Sequence, residues 1–207
     1  MERRVVVEID LKALVRNYRR IAAHCRPAKV LCVLKANAYG LGVGAYAKAL
    51  AKAGCTMFGV AEPFEAIELK RALPSERGRL APEIQILSSI LPDEIPEMVK
   101  AGVILPVTDI PTAKLISAAA VKAKTIAKVH FKLDTGMGRL GILASDPEGI
   151  DRALATIRAV RALPNLDCEG IFTHCPMAQE KACALLEPWA FTTAPCTPSR
   201  GAPPTSV

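Results

Sequence analysis

The chain has 207 residues, enough for one substantial domain with its own core, and 51% of them are apolar while only 4% are aromatic. An aliphatic interior of Ala, Leu, Val and Ile suits helices packed on parallel strands better than a β-sandwich. The net charge of +7 is spread along helical stretches, as at Arg16, Arg19, Arg20, Lys48 and Lys52; with no dense basic block interleaved with aromatics, nucleic-acid binding is not expected.

Val5 to Ile9 predicts a short first strand, and Asp10 a cap for a helix to about Cys25, with Leu11, Leu14, Val15, Tyr18 and Ile21 on one face. Val30 to Leu34 is the next strand, apolar throughout and so buried on both faces. A helix from Gly44 to Ala53 is stopped by Gly54. Met57 to Val60 reads as a strand and Glu62 to Leu73 as a helix. A polar loop with Pro74, Ser75, Gly78 and Pro82 leads to a strand at Ile84 to Leu87. Pro92 to Lys100 is a helix ending at Gly102, and Val103 to Val107 a strand. Asp109 caps a helix from about Pro111 to Ala123, Lys128 to Leu133 is a strand, Pro147 to Leu163 a helix and Glu169 to Thr173 a strand.

Strand and helix alternate with short connections, the βα pattern of a parallel sheet. Polar residues gather after strand ends: Lys35, Glu62, Ser88, Thr108, Asp134 and His174. A closed βα barrel would turn all of them into one mouth. An open doubly wound sheet would gather only those near its switch point. The pattern favours the barrel, with about six βα strands visible of the eight a barrel needs. From Lys181 onward no period survives, and Pro188, Pro195, Pro198, Pro203 and Pro204 fall among Thr, Ser and Ala. The expected division is a partial barrel over residues 1–180 and a Pro-rich, aberrant or disordered tail over 181–207.

Seven cysteines, an odd number with no Cys-x-x-Cys, read as reduced cytoplasmic usage. Cys168, His174 and Cys175 match no zinc spacing, so no metal is expected. Arg3 and Arg4 are followed by Glu8 and Asp10, which is no signal peptide, and no apolar stretch reaches membrane-spanning length.

Two motifs carry chemistry. The buried strand Val30-Leu31-Cys32-Val33-Leu34 runs into Lys35-Ala36-Asn37-Ala38-Tyr39-Gly40-Leu41-Gly42. A lysine there must snorkel out or serve a purpose. A strand end, a desolvated amine and a glycine-rich turn suit a covalently bound carbonyl cofactor that carries a phosphate. The amine bonds the carbonyl carbon, and the turn and following helix start meet the phosphate. The second motif, Lys132-Leu133-Asp134-Thr135-Gly136-Met137-Gly138-Arg139-Leu140-Gly141, sets an arginine on a double-glycine turn after a strand. From such a turn Arg139 can reach back to an anionic group in the same mouth.

Together these motifs resemble the alanine racemase family, pyridoxal-phosphate enzymes built on a βα barrel. Val7-Glu8-Ile9-Asp10-Leu11 with Asn17-Tyr18 is similar to that family's start, and Gly170-Ile171-Phe172-Thr173-His174 to a later barrel strand. The likeness runs from about Val5 to Glu180. It implies an α/β fold, an incomplete TIM-like (β/α) barrel of about six βα units, lacking the family's β-rich C-terminal domain. It implies pyridoxal phosphate as cofactor and conversion of L-alanine to D-alanine. Lys35 would bind the cofactor covalently and act as one of two bases at the substrate α-carbon. Tyr39 would donate its hydroxyl to the cofactor phosphate. Arg139 would lie beside the cofactor ring and help hold the substrate carboxylate. Lys132 matches a lysine that is carbamylated in some members and bridges to that arginine. His174 would position a second arginine facing the pyridine nitrogen.

The family works as a homodimer, and its second base is a tyrosine from the partner's C-terminal domain. Here Leu41 stands where the family often has histidine, and the tyrosines are Tyr18, Tyr39 and Tyr46. The arginine beyond His174 is Arg200, inside the Pro-rich segment, and the family's distal phosphate loop has no match. The expectation is a racemase chain that is weakly active or inactive alone. The alternative is a non-catalytic barrel that binds pyridoxal phosphate.

Overall fold

Residues 6–74 and 81–175 are described in the computed structural model of the chain. The expected tail at 181–207, with the end of the barrel segment at 176–180 and the loop residues Ser75 and Gly78, lies outside them.

Asp10 begins the first helix as its position predicts. Its carboxylate accepts the N–H groups of Lys12 at 2.7 Å and Ala13 at 3.0 Å, and α1 runs over Leu11–His24. The strand expected at Val5 to Ile9 does not form across residues 6–9, and Val6 and Val7 are each 74% exposed. An apolar run makes a strand only where a neighbouring backbone takes up its N–H and C=O groups, and none of the described strands pairs there.

The chain continues through β1 (Leu31–Val33), a helical turn α2 (Lys35–Tyr39), α3 (Val43–Lys52), β2 (Met57–Val60), α4 (Pro63–Ala72) and β3 (Glu83–Ile86). It goes on through α5 (Ile95–Ala101), β4 (Leu105–Val107), α6 (Ile110–Lys122), β5 (Ala127–Asp134), β6 (Ile142–Leu143), α7 (Pro147–Arg161) and β7 (Leu166–Phe172). Helix α5 starts later than its sequence pattern. Leu91 to Glu94 form a turn of their own, with the Glu94 carboxylate accepting the Leu91 N–H at 2.9 Å. Asp109 and Asp146 cap α6 and α7 through the N–H groups of Thr112 and Gly149.

The strands are parallel. β1 lies on β2 with Cys32 opposite Phe58, and β2 on β3 with Phe58 opposite Ile84. β3 meets the residue just ahead of β4, Gln85 lying opposite Ile104, with Ile86 N–H donating to Ile104 O at 3.0 Å and Ile104 N–H to Ile84 O at 2.8 Å. β4 pairs β5 at Pro106 and His130, and β5 pairs β7 at Phe131 and Ile171. The result is a βα-barrel-like array in the chain order β1, β2, β3, β4, β5, β7, as the alternating pattern predicts. The two-residue β6, which the strand–helix alternation does not predict, adds to the end of β5.

Alternation along each strand divides the array into two faces. Phe58, Val60, Ile84, Ile86, Leu105, Val107, Val129 and Phe131 join the helix residues Ala47, Leu50, Leu69, Met98 and Ile116 in the core. The other face of β5 carries Lys128, His130, Lys132 and Asp134. Lys128 bonds both Glu169 at 2.7 Å and Glu83 at 2.8 Å, which holds its pKa well above the ordinary lysine range. All three side chains remain partly in water, so the triad stabilises the fold only modestly. Burial pushes the His130 pKa down.

Candidate active site

The first site loop leaves β1 through Leu34, which is buried and donates its N–H to Gly59 O at 2.8 Å. Lys35 follows, half-buried, with Nζ 6.0 Å from the centre of the Tyr39 ring. The glycine-rich turn is not where the backbone departs from convention first. Ala36, Asn37, Ala38 and Tyr39 all take left-handed φ values of 51 to 57°. Side chains other than glycine disfavour this region, asparagine least, and left-handed residues rarely run in series. Such a turn persists only where its surroundings determine it. Here Ala38 N–H donates to Leu34 O, Gly40 N–H to Ala36 O and Gly42 N–H to Asn37 O, at 2.8 to 3.0 Å. The Asn37 Oδ1 accepts the Val43 N–H at 2.8 Å, doing at the start of α3 what Gly42, the N-cap, has no side chain to do.

Glu65 completes this arrangement from α4. Its Oε1 accepts the Ala36 N–H, and its Oε2 accepts the N–H groups of Ala61 at 2.8 Å and Glu62 at 3.0 Å. Position after the strand points to Glu62 and not to Glu65. A Glu three residues after a helix cap was a readable signal for the bond to Glu62 N–H. Nothing in local spacing signals the bond to Ala36, 29 residues earlier.

The second loop is organised by Asp134. Its carboxylate accepts the N–H groups of Gly138, Gly136 and Arg139, each at 3.0 Å, and these bonds hold its pKa below the ordinary 3.8. Because the folded pKa is lowered, the contribution is present above about 3.8 and lost as pH falls through the folded value. Asp134→Asn is therefore expected to lower stability at neutral pH. The gap from the wild type should narrow in urea melts below pH 3.8; a gap that widens in acid would contradict this assignment. At the end of the loop Gly141 has φ +123°, and a Cβ there would lie 2.7 Å from Lys132 O and 2.9 Å from Asp134 N. Both neighbours are β5 backbone and cannot give way cheaply. Gly141→Ala is expected to cost about 1–3 kcal/mol from backbone strain alone, read as a lowered denaturation midpoint.

Lys132 is buried on β5, its Nζ donating to Leu133 O at 3.2 Å and lying 5.3 Å from the Phe172 ring centre. Burial lowers its pKa; nearby Asp134 opposes the shift and the Arg139 guanidinium adds to it. The hydroxyls of Thr135 and Thr173 bond at 2.8 Å and tie the ends of β5 and β7 together. His174 follows directly and is exposed, as is Arg139.

Lys35, Tyr39, Lys132, Arg139 and His174 thus stand at or just beyond the C-terminal ends of parallel strands, the end where βα barrels do chemistry. Lys35 and Tyr39 are brought together on the first loop, while Lys132 on β5 lies near enough to Arg139 on the second loop for the two charges to oppose each other. His174 stands in neither pair. Among the described residues no group of acidic, histidine and cysteine side chains is placed to hold a metal ion, and no helix is long and apolar enough to cross a membrane.

Residues 9–191 match the family described as "Alanine racemase, N-terminal domain". The alanine racemase of Clostridium tetani is 40% identical over 180 residues, covering 86% of this chain and 43% of that protein. The structure of alanine racemase from Clostridium difficile 630 in complex with cycloserine superposes with a TM-score of 0.71 at 28% identity, covering 86% of this chain and 45% of that one. The Bartonella henselae alanine racemase with covalently bound pyridoxal phosphate gives the same TM-score and identity over 86% of this chain and 47% of that one. The chain therefore spans less than half the length of these relatives. With two loop motifs in order at one end of a parallel βα array, and a family match over most of its length, the chain belongs to the alanine racemase N-terminal domain family.

Proposed function

We propose that the chain carries the pyridoxal-phosphate-binding part of an alanine racemase site, with Lys35 as the cofactor lysine. The observation that carries this reading is the half-buried residue Lys35 at a strand end, beside Tyr39 and directly before a left-handed turn held by side-chain and backbone bonds. The residues present fit the group: an amine for its carbonyl carbon, an exposed tyrosine hydroxyl for its phosphate, and cationic Arg139 at the same end of the strands. When bound, pyridoxal phosphate acidifies the α-proton of an amino acid by spreading the resulting negative charge over its ring.

The chain's own residues then divide the remaining work. Lys35 Nζ would hold the cofactor, and the same amine would take the α-proton from one face of L-alanine. Tyr39 donates its hydroxyl to the phosphate. Arg139 binds the substrate carboxylate, its backbone fixed by Asp134. Burial makes the Lys132 amine less basic than an ordinary lysine's, the direction that favours its carbamylation by carbon dioxide. His174 is the candidate for positioning a further cationic group. The proton returned on the opposite face would come from a partner subunit in a homodimer, in the cytoplasm where the thiols stay reduced.

Titration of the chain with pyridoxal phosphate tests the reading. The wild type is expected to develop the long-wavelength absorbance of an amine-bound cofactor. Lys35→Ala and Lys35→Arg should both lose it, since arginine keeps the charge but not a nucleophilic amine. Equal absorbance in all three proteins would assign the cofactor to other lysines.

A further inference from the structure

Glu65 is 7% exposed, and both of its oxygens are bonded to backbone N–H groups. A helix-capping glutamate uses one oxygen on the N–H at the helix start, and Oε2 does this at Glu62. Capping does not require Oε1 to reach the loop of another strand. Yet Oε1 takes the N–H of Ala36, the residue directly after Lys35 and the first of four left-handed residues. One buried carboxylate therefore joins the loop after β1 to the loop after β2.

We infer that Glu65 is a positioning residue for Lys35: by holding the Ala36 N–H it fixes the left-handed turn and hence the direction of the Lys35 amine. The inference rests on the reading of Lys35 as the cofactor lysine. A carboxylate is needed because three N–H groups converge on it from two directions. The Glu65→Gln amide has one oxygen and one NH2 group, and the NH2 group cannot accept. One of the two loops must then lose its bond.

The test uses the full 207-residue chain and its Glu65→Gln variant, with two readouts. Backbone amide hydrogen exchange follows Ala36, Ala61 and Glu62. Borohydride reduction in the presence of pyridoxal phosphate, with peptide mapping, measures labelling of Lys35 relative to exposed Lys12 and Lys48. In the variant, exchange at Ala36 is expected to quicken and Lys35 labelling to fall, each by about tenfold or more, as loss of a charge-assisted hydrogen bond implies. Unchanged exchange at Ala36 with unchanged labelling, or a change confined to Ala61 and the start of α4, would make Glu65 a helix cap alone and overturn the inference. Should the variant not fold, the wild type decides. An Ala36 amide protected as well as that of Ala61 upholds the link, and an unprotected one overturns it. If the wild type labels all lysines alike, the cofactor reading fails, while the exchange data still decide whether Glu65 holds the turn.

Discussion

Given L-alanine and excess pyridoxal phosphate, the 207-residue chain alone is expected to form D-alanine far more slowly than about one turnover per second, a modest rate for an enzyme. Racemisation needs a proton-handling group on each face of the α-carbon, and Lys35 is the one proposed above. Of the three tyrosines, Tyr18 and Tyr46 pack against the core, and Tyr39 shares the loop of Lys35. None stands opposite that lysine. Loss of one acid–base partner alone lowers the rate by about two to four orders of magnitude. Groups that act as a unit do not contribute independently, so further losses would not simply multiply. A chiral assay of D-alanine decides the matter. Turnover at about one per second or faster would show that these residues, or a second copy of the chain, supply the opposite face.

Phe58→Ala is expected to lower folding stability by about 3–5 kcal/mol. Phe58 is fully buried in the middle of β2, in register with Cys32 and Ile84, and no bulk water can fill the space its ring leaves. Domains of this kind are stable by only about 5–15 kcal/mol, so the variant would be close to unfolded at body temperature. Phe64 is the control. It is 68% exposed near the start of α4, and Phe64→Ala should change stability by no more than about 0.5 kcal/mol. Urea melts of the two variants measure the contrast, and a Phe58→Ala loss below about 1 kcal/mol would contradict the placement of the core.

The order of elements was legible because local signals agreed with the global fold. Asp10 and Asp109 stand before apolar periods and do cap α1 and α6. Gly102 ends α5 in the left-handed conformation. Short Val-rich and Ile-rich runs between helices became parallel strands. Val5 to Ile9 shows the limit of such patterns, since pairing depends on a neighbour that local sequence does not specify. The left-handed turn shows another. Ala36, Ala38 and Tyr39 have no preference for positive φ, and their conformation comes from bonds to Leu34, Glu65 and the start of α3. Lys35 and Arg139 stood out through motif and strand position. Glu65 did not, because its second contact is tertiary. The triad of Lys128, Glu83 and Glu169 was unreadable for the same reason: its members come from three strands brought together by the barrel-like array.

Peptide mapping of the chain after borohydride reduction with stoichiometric pyridoxal phosphate tests most directly whether Lys35 is the cofactor lysine. The reduced cofactor is expected on the peptide containing Lys35, and Lys35→Ala is expected to remove it. A label spread over exposed lysines such as Lys12, Lys48 and Lys52, unaffected by Lys35→Ala, would contradict it.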